Sequence, residues 1–242
     1  MHSLLTRLRP AWLCHVPTCL LCRAPGGDLS ICASCEAELP WLGGHCSICA
    51  LPLVTHGLPC GDCLKRPPPF QRVEAPWRYA FPVDSLITRF KHQSHWPLGR
   101  LLGELLTRHL EHGFSEGLPR PAALLPVPLA APRLRQRGFN QALMLARWLG
   151  DELDIPLRSD WLKRIEDGPP QQGLDAAARR RNLRRAFALA PGVDVRGQHL
   201  ALVDDVLTTG TTAAALARLL VRAGAERVDV YCLARTPRPG EP

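Results

Sequence analysis

Two periodicities alternate along the C-terminal two-thirds of the chain. Residues 73–81 read as extended. Over residues 97–112, Leu98, Leu101, Leu102, Leu105, Leu106 and Leu110 recur at helical steps on one stripe, and Gly113 stands where a C-cap belongs. A short apolar run at 122–126 is followed by a segment, 141–149, that is helical by composition. Residues 199–203 form a candidate buried strand, 212–223 a helix ended by Gly224, and 227–233 another strand. This alternation predicts an α/β fold with a mainly parallel sheet covered by helices. In such sheets, ligands sit at the carboxyl ends of the strands.

Composition divides the chain. Of its 242 residues, 46% are apolar and 21% charged, a globular balance that argues against intrinsic disorder. No stretch approaches the roughly 18–20 apolar residues of a membrane span, so no membrane insertion is expected. Arg7 and Arg9 precede an apolar run at 11–14 that His15 breaks, which does not fit a secretory signal; a cytoplasmic protein is expected. Nine of the ten cysteines lie before Lys65. The net charge is +8, of which residues 71–242 hold +7. Between the two compositions lies Arg66-Pro67-Pro68-Pro69, a stiff stretch that places a boundary near residue 68: a module at 1–68 and a domain at 69–242. Arg179, Arg180, Arg181, Arg184 and Arg185 form a cationic run with no acid between them.

The first module carries four Cys-x-x-Cys pairs: Cys19/Cys22, Cys32/Cys35, Cys46/Cys49 and Cys60/Cys63. Two such pairs supply the four thiolates of a tetrahedral zinc site. The short gaps from Cys22 to Cys32 and from Cys49 to Cys60 lead naturally to two sequential Cys₄ sites; a cross-braced pairing also fits the spacing. Cys14, His15, His45 and His56 stand nearby as substitute ligands or as ordinary loop residues. Four regular pairs would be odd as disulfides in a reducing compartment. With every position filled by thiolate there is no open coordination for substrate, so the zinc is structural.

The strand at 199–203 leads into Asp204-Asp205, then Val206-Leu207, then Thr208-Thr209-Gly210-Thr211-Thr212 and a helix. Hydroxyls, a glycine and free N–H groups at a helix start are the elements of a phosphate cradle. The carboxylates would repel a phosphate at contact and suit vicinal hydroxyls instead. Phosphate on one side and hydroxyls on the other describe a ribose 5-phosphate.

This stretch resembles the phosphoribosyl diphosphate (PRPP) signature of type I phosphoribosyltransferases. The resemblance implies that Asp204 and Asp205 hold ribose, and that Thr208, Thr209, Gly210, Thr211 and Thr212 hold the 5-phosphate. A narrower likeness rests on the Cys-x-x-Cys module, Phe90-Lys91, Pro126-Val127-Pro128, Arg137-Gly138-Phe139-Asn140-Gln141, and Pro169-Pro170-Gln171 ahead of Arg179 and Asn182. Together these resemble ComF proteins, bacterial phosphoribosyltransferase-like proteins of natural competence; GntX-type proteins share the architecture. The resemblance implies a pyrophosphate site near Arg137, Asn140 and Gln141, with Arg133 and Arg135 either adding charge or simply solvated. It also implies a hood over the site at residues 164–186 that includes Gln171, Arg179 and Asn182. Lys91, Arg137 and Arg179 are the candidate catalytic residues.

If the chain is a transferase, pyrophosphate leaves the anomeric carbon, a nitrogen nucleophile attacks, and Mg²⁺ neutralises the leaving group. No residue pattern identifies an acceptor. Two readings therefore stand: a PRPP or ribose 5-phosphate binder of the transferase kind, and a non-catalytic single-stranded DNA-binding factor that meets the DNA-uptake machinery. The second draws on the +8 charge and the arginine run, against an aromatic content of only 6% for base stacking. A GntX-like metabolic role is a further alternative. Cys232, isolated in the last strand, reads as a small buried residue.

Overall fold

The computed structural model describes residues 17–55, 57–165 and 186–238. Gln171, Arg179, Asn182, the rest of the arginine run, Cys14, His15 and His56 lie outside the described residues. Packing divides the chain into two units, Met1–Leu39 and Pro40–Pro242. In the first, Thr18 and Pro25 pair as an antiparallel bridge around Cys19 and Cys22, with Arg23 at φ +67 turning the chain. Helix α1 (Ala33–Ala37) starts directly after Cys32 and carries Cys35. The second unit begins with a copy of this device. His45 bridges Pro52 around Cys46 and Cys49, Ala50 turns at φ +54, and α2 (Gly61–Lys65) starts after Cys60 and carries Cys63. Composition changes near residue 68, whereas packing divides after Leu39, between the two copies. The reason is that Ala50, with Leu42, Ile48 and Cys49 against it, shares one apolar core with Phe70, Leu207 and Leu216.

The remainder of the second unit is a parallel sheet. Strands β1 (Arg72–Glu74) and β2 (Trp77–Arg78) both lie along β7 (Arg227–Arg235), which pairs with β6 (His199–Leu207), which pairs with β3 (Ala123–Pro126). Beyond β3, Leu157 makes a single parallel bridge to Leu124. The extended run expected at 73–81 is interrupted at Ala75-Pro76, since proline has no N–H for the ladder. Strands β6 and β7 each run to nine residues, further than their apolar stretches alone predict.

Helices cover both faces. On one side lie α3 (Val83–Gln93), α4 (Trp96–Ser115) and α6 (Gln141–Leu153); on the other lies α7 (Thr211–Arg222). The leucine stripe of α4 is buried throughout. The helix does not stop at Gly113, however. It runs two residues further, and Gly113 gives Leu118 room to fold back, its carbonyl accepting the Leu118 N–H at 2.9 Å. Helix α3 was not expected, although Val83, Leu86, Ile87 and Phe90 are buried at helical spacing. A short helix α5 (Ala131–Arg137) occupies the loop after β3, and β4 (Leu162–Arg164) pairs antiparallel with β5 (Phe187–Leu189). No helix among the described residues is long and apolar enough to cross a membrane.

One contact ties α3 to α4. A Cβ placed on Gly99 would lie 2.4 Å from two ring carbons of Phe90. That ring is fully buried, with Phe139, Trp148 and Trp96 centred 5.5, 6.0 and 6.2 Å away. Gly99→Ala is therefore expected to lose about 1–3 kcal/mol of stability through overpacking, despite the better helix propensity of alanine. Urea unfolding checks this, with Phe90→Leu in the same chain expected to recover most of the loss. An unchanged midpoint for Gly99→Ala would refute the contact's importance.

Candidate functional site

Asp204 and Asp205 lie within β6 rather than in a turn after it, because the ladder with β7 continues to Leu207 opposite Arg235. Side chains alternate along a strand, so the two carboxylates leave on opposite faces. Asp205 is buried, and Lys91 in the last turn of α3 places Nζ 3.0 Å from its Oδ2. Its Oδ1 accepts the Val206 N–H at 2.6 Å. Asp204 lies opposite Cys232 and accepts the Asp205 N–H at 2.9 Å. Removal from water and the neighbouring Asp205 charge push the Asp204 carboxyl up to about 7, against the pull of the Asp205 N–H and Lys91. Cys232 is buried, and desolvation pushes its thiol up, which fits a packing residue and not a nucleophile.

After Leu207 the chain turns through exposed Thr208 and Thr209 to Gly210, which sits at φ +69 as the N-cap of α7. That left-handed conformation favours glycine. Thr209 Oγ1 lies 2.8 Å from Thr211 Oγ1, so two hydroxyls gather at the helix start. Thr212 follows inside the first turn. At the end of β3, Asn140 caps α6: its Oδ1 accepts the Ala142 N–H at 3.0 Å and its Nδ2 donates to the Val127 carbonyl at 3.0 Å. The Asn140 amide thus clamps the loop after β3 to the helix. Gln141 is buried, and its Oε1 has no hydrogen-bond partner among the described residues. Arg137 closes α5 ahead of Gly138, while Arg133 and Arg135 are exposed on the same helix.

The cysteines resolve into two groups, Cys19/Cys22/Cys32/Cys35 and Cys46/Cys49/Cys60/Cys63, with the sulfurs of each within 4.8 Å of one another. The pairing is sequential, not cross-braced. A tetrahedral zinc with Zn–S of about 2.3 Å spaces sulfurs about 3.8 Å apart. Cys22 and Cys32 lie at 3.6 Å, and Cys49 and Cys60 at 3.8 Å, so both sets fit the ion. Burial alone would raise the Cys46 thiol, but the N–H groups of Cys49, Cys60 and Ile48 bring it down to about 7, favouring the thiolate. His45 belongs to neither group; its Nδ1 lies 2.7 Å from the Gly43 carbonyl.

Two features were not anticipated. A cleft of about 920 Å³ runs between the second ribbon and the threonine loop, with Lys65, Arg66, Phe70 and Arg218 in its walls. At its base, Arg235 reaches main-chain carbonyls of both the ribbon and the loop. The sequence signal for Arg235 was a cation closing the buried run from Val230 to Ala234.

A folded-state pKa raised above the unfolded value means that ionisation of Asp204 opposes folding. That cost is absent at low pH, grows as pH rises toward about 7, and then levels off. The melting temperature of Asp204→Asn minus that of the wild type should therefore widen between pH 5.5 and 7 and stay level above it. A difference that is flat across this range would show that Asp204 ionises normally.

Two family models match the chain: the double zinc ribbon domain over residues 13–64 and the phosphoribosyl transferase domain over residues 140–242. The chain is 38% identical over 226 residues to the DNA utilization protein YhgH of Escherichia coli O157:H7, covering 93% of this chain and 96% of that one. It is 36% identical over 224 residues to Competence protein F of Haemophilus influenzae, covering 90% and 96%. Competence protein ComFC of Bacillus subtilis is 28% identical over 227 residues, covering 86% and 85%. With ribbons and transferase-like sheet matched together over almost the whole length of these relatives, the chain belongs to the ComF family of type I phosphoribosyltransferase-like proteins.

Proposed function

We propose that this chain binds PRPP or ribose 5-phosphate at the carboxyl end of β6 and acts in natural competence, in the uptake or processing of transforming single-stranded DNA. The observation that carries the reading is the run from Asp204 and Asp205, the latter neutralised by Lys91 at 3.0 Å, into the hydroxyl-lined N-terminus of α7. The carboxylates accept hydrogen bonds from ribose hydroxyls, and the threonines with the helix N–H groups take the phosphate. Gln171, Arg179 and Asn182 contribute from the hood, and Arg137, Asn140 and Gln141 from the side of β3. Mg²⁺ accompanies the pyrophosphate as its counter-charge. The names of the relatives, a DNA utilization protein and competence proteins, support the physiological half. In this scheme residues 1–68 are a zinc-binding module and residues 69–242 the ligand-binding domain, both cytoplasmic.

A second reading, a non-catalytic single-stranded DNA-binding factor, is favoured by one observation: Lys65, Arg66 and Arg218 line the cleft beside the same loop. Three such contacts to phosphates predict a slope of about −2 in log affinity against log salt.

Calorimetric titration of PRPP with Mg²⁺ into the zinc-loaded protein tests the first reading. Saturable binding is expected. Asp204→Ala/Asp205→Ala, shown to be folded by circular dichroism, should weaken it about 100-fold, the equivalent of two charge-assisted hydrogen bonds at about 1.5 kcal/mol each. No binding to folded wild type would remove the PRPP reading. A steep salt dependence for an oligonucleotide would then carry the DNA reading alone.

A further inference from the structure

We infer that Arg235 is a positioning residue that sets the orientation of the phosphate loop and hangs that loop on the metal knuckle of the second ribbon. The ligand of the loop rests on the PRPP reading above; the mechanical link does not.

Arg235 is the last residue of β7 and is only 7% exposed. Its Nε donates to the Cys49 carbonyl at 2.8 Å. Its Nη1, with two hydrogens, lies within hydrogen-bond reach of three carbonyls, Leu207 at 3.1 Å, Thr208 at 2.5 Å and Thr236 at 2.6 Å, so two of them share one hydrogen. All four acceptors are main-chain oxygens, so the guanidinium acts as a fork that fixes backbone directions. In a planar trans peptide the C=O of one residue and the N–H of the next point in opposite senses. With the carbonyls of Leu207 and Thr208 turned toward Arg235, the N–H groups of Thr208 and Thr209 turn away from it. Those are the first two donors of the loop that meets the phosphate. A positive charge behind the carbonyls also polarises the peptides in the sense that strengthens their N–H groups as donors.

The other arm reaches a zinc ligand. Cys49 presents its carbonyl because the knuckle is wound tightly: its N–H points to Cys46 Sγ at 3.5 Å, the Ala50 N–H donates to the Cys46 carbonyl at 2.9 Å, and Ala50 holds φ +54. The Cys60 N–H also donates to Cys46 Sγ, at 3.1 Å. Gathering these four sulfurs on one ion is what keeps the Cys49 carbonyl aimed at Arg235. Every acceptor of Arg235 lies within Pro40–Pro242, whereas the first cysteine group lies in Met1–Leu39. The metal state of the second ribbon is therefore linked to the loop through Arg235. Linkage is reciprocal, so ligand on the loop must steady the second metal.

The test uses the full chain with both clusters loaded with zinc, and the variant Arg235→Lys, which keeps the charge and loses the fork. Zinc release to a chromogenic chelator is followed together with amide exchange at Ala50 and Thr236, whose N–H groups bond to Cys46 and Leu207 on either side of the link. In Arg235→Lys one zinc should leave about tenfold faster, the other at the wild-type rate. Both amides should exchange about tenfold faster while α4 keeps its protection. PRPP should slow the faster zinc in wild type and not in the variant. Wild-type release and exchange in Arg235→Lys would overturn the inference. So would faster loss of both ions with loss of α4 protection, which marks a general structural role. If the link is seen but PRPP fails to bind wild type, the positioning role stands and the PRPP reading falls.

Discussion

Consecutive carboxylates at the end of a buried strand set the main constraint on this molecule. Alternation sends them to opposite faces of the sheet, so Lys91 pairs directly with Asp205 and only weakly offsets the cost of charging Asp204. Asp205, on the face covered by α3, α4 and α6, is neutralised by Lys91 from α3. Breaking such a buried pair leaves an uncompensated charge, at a cost of several kcal/mol. Helix α3 must therefore be held in place, and the Phe90 ring seated against Gly99 holds it one residue before the lysine. Among the described residues Asp204 has no such partner, and it retains a raised affinity for its proton. The site thus presents one settled charge and one poised carboxyl, an asymmetry suited to a ligand that brings hydroxyls or a divalent ion to the second.

The two ribbons share a sequence pattern and differ in how they are embedded. Structural zinc supplies roughly 10–16 kcal/mol of apparent folding free energy in small peptides, enough to hold a knuckle without an apolar core. The second copy nevertheless lends Ile48, Cys49 and Ala50 to the core around α7. Just before it, the chain pairs with the edge of the sheet: Leu42 donates to the Pro76 carbonyl at 2.7 Å, and Arg78 to the Pro40 carbonyl at 2.9 Å. An edge that would otherwise offer unpaired backbone is covered in this way.

The parallel sheet, the leucine face of α4, the threonine loop and the eight metal-ligating cysteines were all legible from local pattern. Features that depend on distant residues were not. Helix α3 escaped notice because its apolar stripe is short and Pro82 precedes it directly. The extent of β6 was underestimated because two aspartates look like a turn, although their neighbour β7 extends the ladder past them. The part Asn140 plays as helix cap and loop clamp depends on the distant Val127 carbonyl and was not legible locally.

Strand β7 shows how the same device serves two ends of a fold differently. Near its start, Asp229 is fully buried and closed off by His199 at 2.8 Å and Arg227 at 2.9 Å. The adjacent Glu74 is similarly held by His109 at 3.1 Å and by Arg72. Each carboxylate there meets a guanidinium and an imidazole, although the buried Tyr231 hydroxyl beside Glu74 has no partner among the described residues. At the other end, Arg235 finds carbonyls instead of a carboxylate, and among the described residues Asp204 has no ion-pair partner and the buried Gln141 Oε1 no donor. Natural proteins leave polar groups unmatched where a ligand supplies the missing partner. Asp204 and Gln141 stand at the carboxyl end, where a parallel sheet receives its ligand.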